Sequence, residues 1–264
     1  MAEPSVLVDI QPGVARITLH RPDVHNAVNT GLAAELADAV EAVAMDPKIL
    51  VVVVRGAGSS FSSGMDRMAL AAREIGEPFY RHWSRALNGL EDMGKLAIGV
   101  LHGYCLGGGL QLALACDVRL AASDCVLALG ATAHGLIPDG AVLRLARVVG
   151  IGRAKELALL NPRISPEEAK AIGLVNWVVG PDEVEPALSR LIESALHAAP
   201  TAVRHTKRLL HQSFHTDPRA MIEELIRAQS ECMTSWELEV ADRAWHERGE
   251  ARYYPPPGGT AGTR

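Results

Sequence analysis

Three consecutive glycines, Gly107, Gly108 and Gly109, stand inside a stretch from Leu96 to Cys116 that contains no Asp, Glu, Lys or Arg. Leu96–Leu101 reads as a short buried strand and Leu110–Cys116 as a buried helix, so the glycines fall at a strand-to-helix turn. N–H groups in the first turn of a helix lack an intrahelical acceptor and sit at the positive end of its dipole. There they can hold an anion or an oxygen that gains negative charge. Glycine lacks the Cβ that would keep a ligand away from such donors. A lone Gly-Gly-Gly more commonly serves close backbone packing. Here, however, a second loop, Phe61-Ser62-Ser63-Gly64-Met65-Asp66, also follows an apolar strand pattern and offers another N–H. Two donors at neighbouring strand ends make an oxyanion hole.

Other chemistries fail at the level of spacing. Gly56-Ala57-Gly58 is followed by Phe61 where a dinucleotide fingerprint needs glycine, no phosphate-binding GxxxxGK[ST] occurs, and His246-Glu247 lacks the second histidine of a zinc-protease helix. His211 and His215 share a helical spacing but make an incomplete metal site, so no metal is expected. The serine-rich loop Ser59–Ser63 does not match GxSxG. A formal charge of −5 and the lack of a basic patch give no reason to expect nucleic acid as a partner. The uncharged stretch is long enough for a bilayer, but His102, Gln111 and its glycines divide it into unlike halves, so no membrane span is expected. Four cysteines without a CxxC pair, and no signal-peptide pattern, lead to an expectation of a reducing cytoplasm with free thiols.

The elements that must position these loops follow from periodicity. Val6–Ile10 and Val14–Leu19 alternate about Gln11-Pro12-Gly13 as a β-hairpin, and a loop runs from Arg21 to Asn29. Leu32, Leu36, Val40 and Val43 mark a helix before the β-branched strand Ile49–Val54. A loop from Gly56 to Gly64, a helical stretch to about Met93, and strands at Val118–Ala122, Val126–Leu129 and Val175–Val179 complete an α/β pattern. Ser165-Pro166-Glu167-Glu168 is a helix start with a cap and an N1 proline. Leu188–Leu196, Ala202–Phe214 and Arg219–Arg248 are expected helices, and the Pro/Gly-rich Pro255–Arg264 a mobile tail.

Five motifs in order identify a resemblance over nearly the whole chain to the crotonase, or enoyl-CoA hydratase/isomerase, superfamily. Arg21–Asn29 resembles its early CoA-binding loop, Phe61–Asp66 its first oxyanion segment and His102–Gln111 its second. Gly135–Gly140 and Ile164–Val175 match two further stretches. The resemblance implies a spiral of ββα units over 1–195, a C-terminal helical region over 196–254 that commonly trimerises, often as a dimer of trimers, and the tail over 255–264. It implies a CoA thioester whose carbonyl oxygen is held by the N–H groups of Met65 and Gly108. Ala27, Ser63, Asp66, Arg67 and Met68 match stretches lining the CoA and pantetheine path. No separate cofactor is implied, because coenzyme A is part of the substrate.

The chain departs from the pattern where hydratases of the family carry two glutamates: those positions hold Gln111 and Ala131. A glutamine amide orients groups but accepts no proton near neutral pH. Asp139 stands where hydratases of the family usually have glycine and some isomerases of the superfamily place a catalytic carboxylate. The leading expectation is therefore double-bond isomerisation, with Asp139 as proton shuttle and Gln111 as a positioning group. The alternatives are hydration or another crotonase reaction through an unplaced residue, and a non-catalytic acyl-CoA binding protein. The simpler reading of Asp139 is a helix cap near Gly140. Phe79, Tyr80, His82 and Trp83 either line the acyl pocket or pack the helix.

Overall fold

The computed structural model describes residues 3–254; the tail expected over 255–264 lies outside the described residues. The chain opens with β1 (Val6–Gln11) and β2 (Val14–Leu19), followed by α1 (Thr30–Met45), β3 (Val51–Gly56), α2 (Arg67–Ala71) and α3 (Glu77–Asp92). Next come β4 (Leu96–Leu101), β5 (Tyr104–Leu106), α4 (Gly108–Ala115), β6 (Val118–Ala122) and β7 (Val126–Ala128). Short helices α5 (Asp139–Val142), α6 (Leu145–Val149), α7 (Ile151–Leu159) and α8 (Pro166–Ala171) lead to β8 (Trp177–Val179). The remaining helices are α9 (Val184–Leu196), α10 (Pro200–Gln212), α11 (Pro218–Met233) and α12 (Trp236–His246).

Six strands form one sheet in the order β1-β2-β3-β4-β6-β8, antiparallel only at the β1–β2 hairpin. A parallel sheet with both faces covered needs strands that are apolar on both sides, and β3 meets that need with a run of valines. Val52 and Val54 join the core formed with Leu32, Leu36, Trp83 and Leu87, whereas Val51 and Val53 face Val184, Leu188 and Ile192 of α9. β5 and β7 pair in a smaller parallel layer, extended by bridges from Ser62 to Cys105 and from Leu127 to Ile164. The turns that contain β4–β5 and β6–β7 each add one strand to the large sheet and a short one to the second layer, and helices follow them, as in the ββα spiral expected.

The structure corrects several boundaries. The strand expected over Ile49–Val54 runs from Val51 to Gly56, because Leu50 and Val51 donate their N–H groups to Gly13 O before the ladder begins. The helical stretch before Met93 is two helices, interrupted near Arg73, whose φ of 61° cannot continue a right-handed helix. The stretch Arg219–Arg248 divides at Thr234 and Ser235 into α11 and α12. β5, inserted between the expected strand and the glycine turn, was not anticipated: three residues are too few to show a period.

Lys207 joins α10 to the sheet. Its ammonium is 8% exposed and donates to Leu90 O at 2.8 Å, Lys95 O at 3.0 Å and Asp117 Oδ2 at 2.9 Å. Burial pushes the Asp117 carboxyl above the usual range, with the Lys207 charge pulling it back. Removing one member of a buried pair strands the other, so Lys207→Met is expected to lose about 3–5 kcal/mol of stability in urea unfolding. An unchanged midpoint would contradict that role.

Candidate active site

α4 begins where β5 ends, and the three glycines of the turn have different duties. Gly107 has φ 50° and ψ −113°, a backbone conformation that side-chain-bearing residues rarely adopt, and its N–H donates to Ala128 O at 2.9 Å. A Cβ on Gly109 would lie 2.6 Å from Ser62 O, so the first turn of α4 sits directly on the Phe61–Asp66 loop. Gly108 meets nothing so close: its Cβ position is 3.5 Å from Trp83 Cζ2 and 3.7 Å from the backbone nitrogen of Met65. Neither the Met65 N–H nor the Gly108 N–H has a hydrogen-bond acceptor among the described residues. Two donors without an acceptor among the described residues therefore lie on adjoining loops.

The loop carrying Met65 is held by side chains that sequence reasoning did not single out. Asn26, fully buried with φ 54°, donates from Nδ2 to Ala57 O at 2.9 Å and Ser60 O at 2.8 Å, and its Oδ1 accepts from the Arg21 N–H at 2.9 Å. Val28 and Met65 then bridge, leaving the Met65 N–H pointing away from that ladder. The only prior signal was an asparagine within a loop, a residue type that tolerates positive φ.

Gln111, one turn into α4, is 5% exposed, and its Oε1 accepts from Trp83 Nε1 at 2.9 Å. Asp139 stands across from it as the first residue of α5. Pro138 occupies the N-cap position, one residue before the aspartate. Burial pushes the Asp139 carboxyl above the usual aspartate range, against the pull of the Gly140 N–H, the Gln111 side chain and the Arg144 guanidinium. Tyr80 of α3 faces the same carboxyl, and burial followed by the Asp139 charge raises its hydroxyl. The structure thus gathers Met65, Gly108, Gln111 and Asp139 around α4.

The other predicted site residues sit at the rim or are engaged within the protein. Asp66 caps α2 through the N–H groups of Met68 and Ala69 and pairs with Arg21 Nη1 at 3.0 Å. Burial opposes its ionisation, but the Ala69 N–H, Arg21 and the Met68 N–H together hold it below the usual range. Ala27 is buried, with its carbonyl accepting from Arg21 Nη1 at 2.5 Å, and Ser63 Oγ donates to Val24 O at 3.2 Å. Met68 is 81% exposed, and the exposed Arg67 has Nη1 at 3.3 Å from His134 Nε2. Ala131 is half-buried at the start of the turn Thr132–His134, where it offers only a methyl group. A cleft of about 580 Å³ between α4, α6 and α10 contains none of these residues. No group of His, Cys, Asp and Glu among the described residues has the arrangement of a metal site.

The unequal duties of the glycines give a stability test. Gly109→Ala forces backbone apart and is expected to cost about 1–3 kcal/mol, whereas Gly108→Ala adds a methyl in ordinary contact distance of Trp83, Gly64 and Met65 and is expected to be neutral or slightly stabilising. Equal losses in thermal unfolding would contradict the assignment.

Comparison with known proteins agrees with this geometry. The family model described as enoyl-CoA hydratase/isomerase matches residues 9–254. A crotonyl-CoA hydratase of Syntrophomonas wolfei is 34% identical over 230 residues, covering 84% of this chain and 87% of the relative. A short-chain-enoyl-CoA hydratase of Clostridium acetobutylicum is 29% identical, covering 92% of this chain and 95% of that protein. Among solved structures, an enoyl-CoA hydratase from Bacillus anthracis superposes with a TM-score of 0.87 at 30% identity, over 94% of this chain and 98% of that one. With the fold, the paired N–H donors and these matches in agreement, the chain belongs to the enoyl-CoA hydratase/isomerase family of the crotonase superfamily.

Proposed function

We propose that the chain is an acyl-CoA enzyme that stabilises a thioester enolate and moves a carbon–carbon double bond without adding water. In this reading the N–H groups of Met65 and Gly108 donate to the thioester oxygen. The ionised Asp139 takes a proton from C2 of a 3-enoyl-CoA, leaving an enolate whose charge rests on that oxygen. The protonated Asp139 then returns the proton to C4, giving the 2-enoyl-CoA and restoring the carboxylate, so nothing else is consumed. The observation that carries the proposal is a half-buried carboxyl at the start of α5 beside Gln111, where no carboxylate stands at 111 or 131 to activate water.

Relatives named as hydratases favour a second reading, hydration through a residue outside this set. The names describe those proteins, and the substitutions at Gln111 and Ala131 weigh against water activation in this one. Assembly as a trimer or dimer of trimers is supported by apolar side chains left exposed on α10–α12 and the turn after α10, among them Leu210, Phe214, Ile226, Met233 and Trp245. A cytoplasmic setting is supported by four free cysteines; the thiol of the buried Cys116 is pushed up to about 12 by burial. No helix among the described residues is long and apolar enough to cross a membrane. Coenzyme A enters as part of the substrate.

Purified protein offered a 3-enoyl-CoA is expected to form the 2-enoyl-CoA, with Asp139→Asn slower by about 10²–10⁴; Gly108→Ala keeps its N–H but sets a methyl 3.7 Å from the Met65 nitrogen, crowding the oxygen off the donors, and is expected to be slower by up to about 10²–10³. Asp139 acts only when ionised, so kcat/KM should rise with pH along a limb above the ordinary aspartate range. Stability runs the other way. A carboxyl whose pKa is raised in the fold stabilises it below the unfolded value and loses that contribution as pH rises through the folded one. Asp139→Asn should therefore be as stable as the parent, or more so, at neutral pH. Turnover unaffected in Asp139→Asn would remove the aspartate from the reaction; 3-hydroxyacyl-CoA as the main product would favour hydration; tight binding without turnover would favour a binding protein.

A further inference from the structure

Gly108 and Gln111 are three residues apart, about 4.5 Å along the axis of α4, and one side chain of α3 spans both. Trp83 Cζ2 comes within 3.5 Å of where a Cβ on Gly108 would stand, and Trp83 Nε1 donates to Gln111 Oε1 at 2.9 Å. Phe79, one turn earlier in α3, stacks on the indole with ring centroids 6.2 Å apart and an interplanar angle of 16°. The indole is 1% exposed, so it is tied at its N–H, covered on a face and closely packed elsewhere. Past Gln111 three helices close on one another. Gly140 of α5 packs there without a side chain: a Cβ on it would collide with Leu87 of α3 and lie 2.9 Å from Gln111 Oε1 and 3.2 Å from Gln111 Cβ. The cleft between α4, α6 and α10 begins at Leu114 on α4 and is lined by none of Trp83, Leu87, Gln111 and Gly140.

We propose that Trp83 determines specificity: its indole is the wall against which the acyl chain ends, so the substrate class of this site is short-chain acyl-CoA thioesters. The proposal rests on the reading of Met65 and Gly108 as the donors to the thioester oxygen. With the oxygen on those N–H groups, C1 lies beside Gly108, and the carbons that follow run along α4 toward the start of α5. The indole borders that path for one helical turn, and the contact of Leu87, Gly140 and Gln111 shuts it. A longer chain has to displace an anchored, fully packed ring or lift α5 from α3, and forcing extra methylenes into a filled core is unfavourable. An open apolar pocket behaves in the opposite way, since each further buried methylene there strengthens binding by about fourfold. The bond to Gln111 gives the wall its stiffness. An indole N–H can only donate, so an acceptor at 111 fixes the ring in one orientation, and a glutamine supplies that acceptor without a charge.

Saturated acyl-CoA thioesters have no double bond to move, so their dissociation constants read the depth of the site apart from its chemistry. The test is calorimetric titration of the full chain with the series from butyryl-CoA to dodecanoyl-CoA. Affinity in the parent is expected to stop rising beyond hexanoyl-CoA. In Trp83→Ala the rise is expected to resume, by about fourfold for each further methylene until the vacated space is filled, because an apolar cavity takes up apolar guests. Trp83→Phe keeps a ring on Phe79 but ends short of the atom that meets Gly108, and should move the break to a slightly longer chain; it replaces Trp83→Ala if that variant does not fold. Affinity that climbs without a break to dodecanoyl-CoA in the parent would overturn the proposal. So would a break at the parental chain length in folded Trp83→Ala or, in its place, Trp83→Phe. The underlying reading fails separately, through the infrared stretch of a 13C-labelled thioester carbonyl in bound hexanoyl-CoA. A carbonyl that absorbs as in water removes the donors and the proposal together, whereas a lowered stretch with an unmoved break removes only the role of Trp83.

Discussion

The contact on which the site depends is the seating of the Phe61–Asp66 loop on the first turn of α4, backbone against backbone. Gly109 meets Ser62 O, and Gly64 faces Leu106 O and the Gly108 nitrogen, with no side chain between them. Side chains there would separate the loops and with them the N–H groups of Met65 and Gly108. Ordinary secondary structure pairs its donors, and a donor left without a partner away from water costs on the order of 1–3 kcal/mol. These two remain unpaired because the surrounding ties over-determine the loops: Asn26 to Ala57 and Ser60, Arg21 to Asp66, and the bridges Val28–Met65 and Ser62–Cys105.

The sheet and helices make that contact rigid. Valines of β3 anchor the strand preceding the first loop on both faces, and the apolar strand β4 does the same before the glycine turn. α3 then lays Trp83 against both Gly108 and Gln111, so one residue touches the oxyanion donors and the amide beside the carboxylate. In the proposed reaction the two halves of the site, one receiving charge and the other moving the proton, share this wall. Distances between them are set by packing in the core rather than by mobile surface loops.

Much of this was legible in the sequence where the signal is local. The hairpin, the buried strands and the glycine turn each show a period or a residue type with a direct backbone consequence, and both loops with their N–H donors were found that way. What escaped depends on partners distant in sequence. Asn26 is an ordinary loop residue until the carbonyls of Ala57 and Ser60 arrive beside it. Trp83 could only be called lining or packing, because its bond to Gln111 spans two helices. The carboxyl of Asp66, expected along the CoA path, is occupied by the start of α2 and by Arg21. Five-residue helices such as α6 are too short to declare themselves by periodicity.

The most direct measurement is infrared difference spectroscopy of the thioester carbonyl, using a 13C-labelled, unreactive acyl-CoA bound to the protein. If the N–H groups of Met65 and Gly108 together hold the oxygen, the carbonyl stretch falls below its value in water on binding, and Gly108→Ala, whose methyl would crowd the two donors, returns it toward the free value. A bound thioester whose carbonyl absorbs as it does in water would contradict the oxyanion hole, and with it the enolate chemistry proposed for this chain.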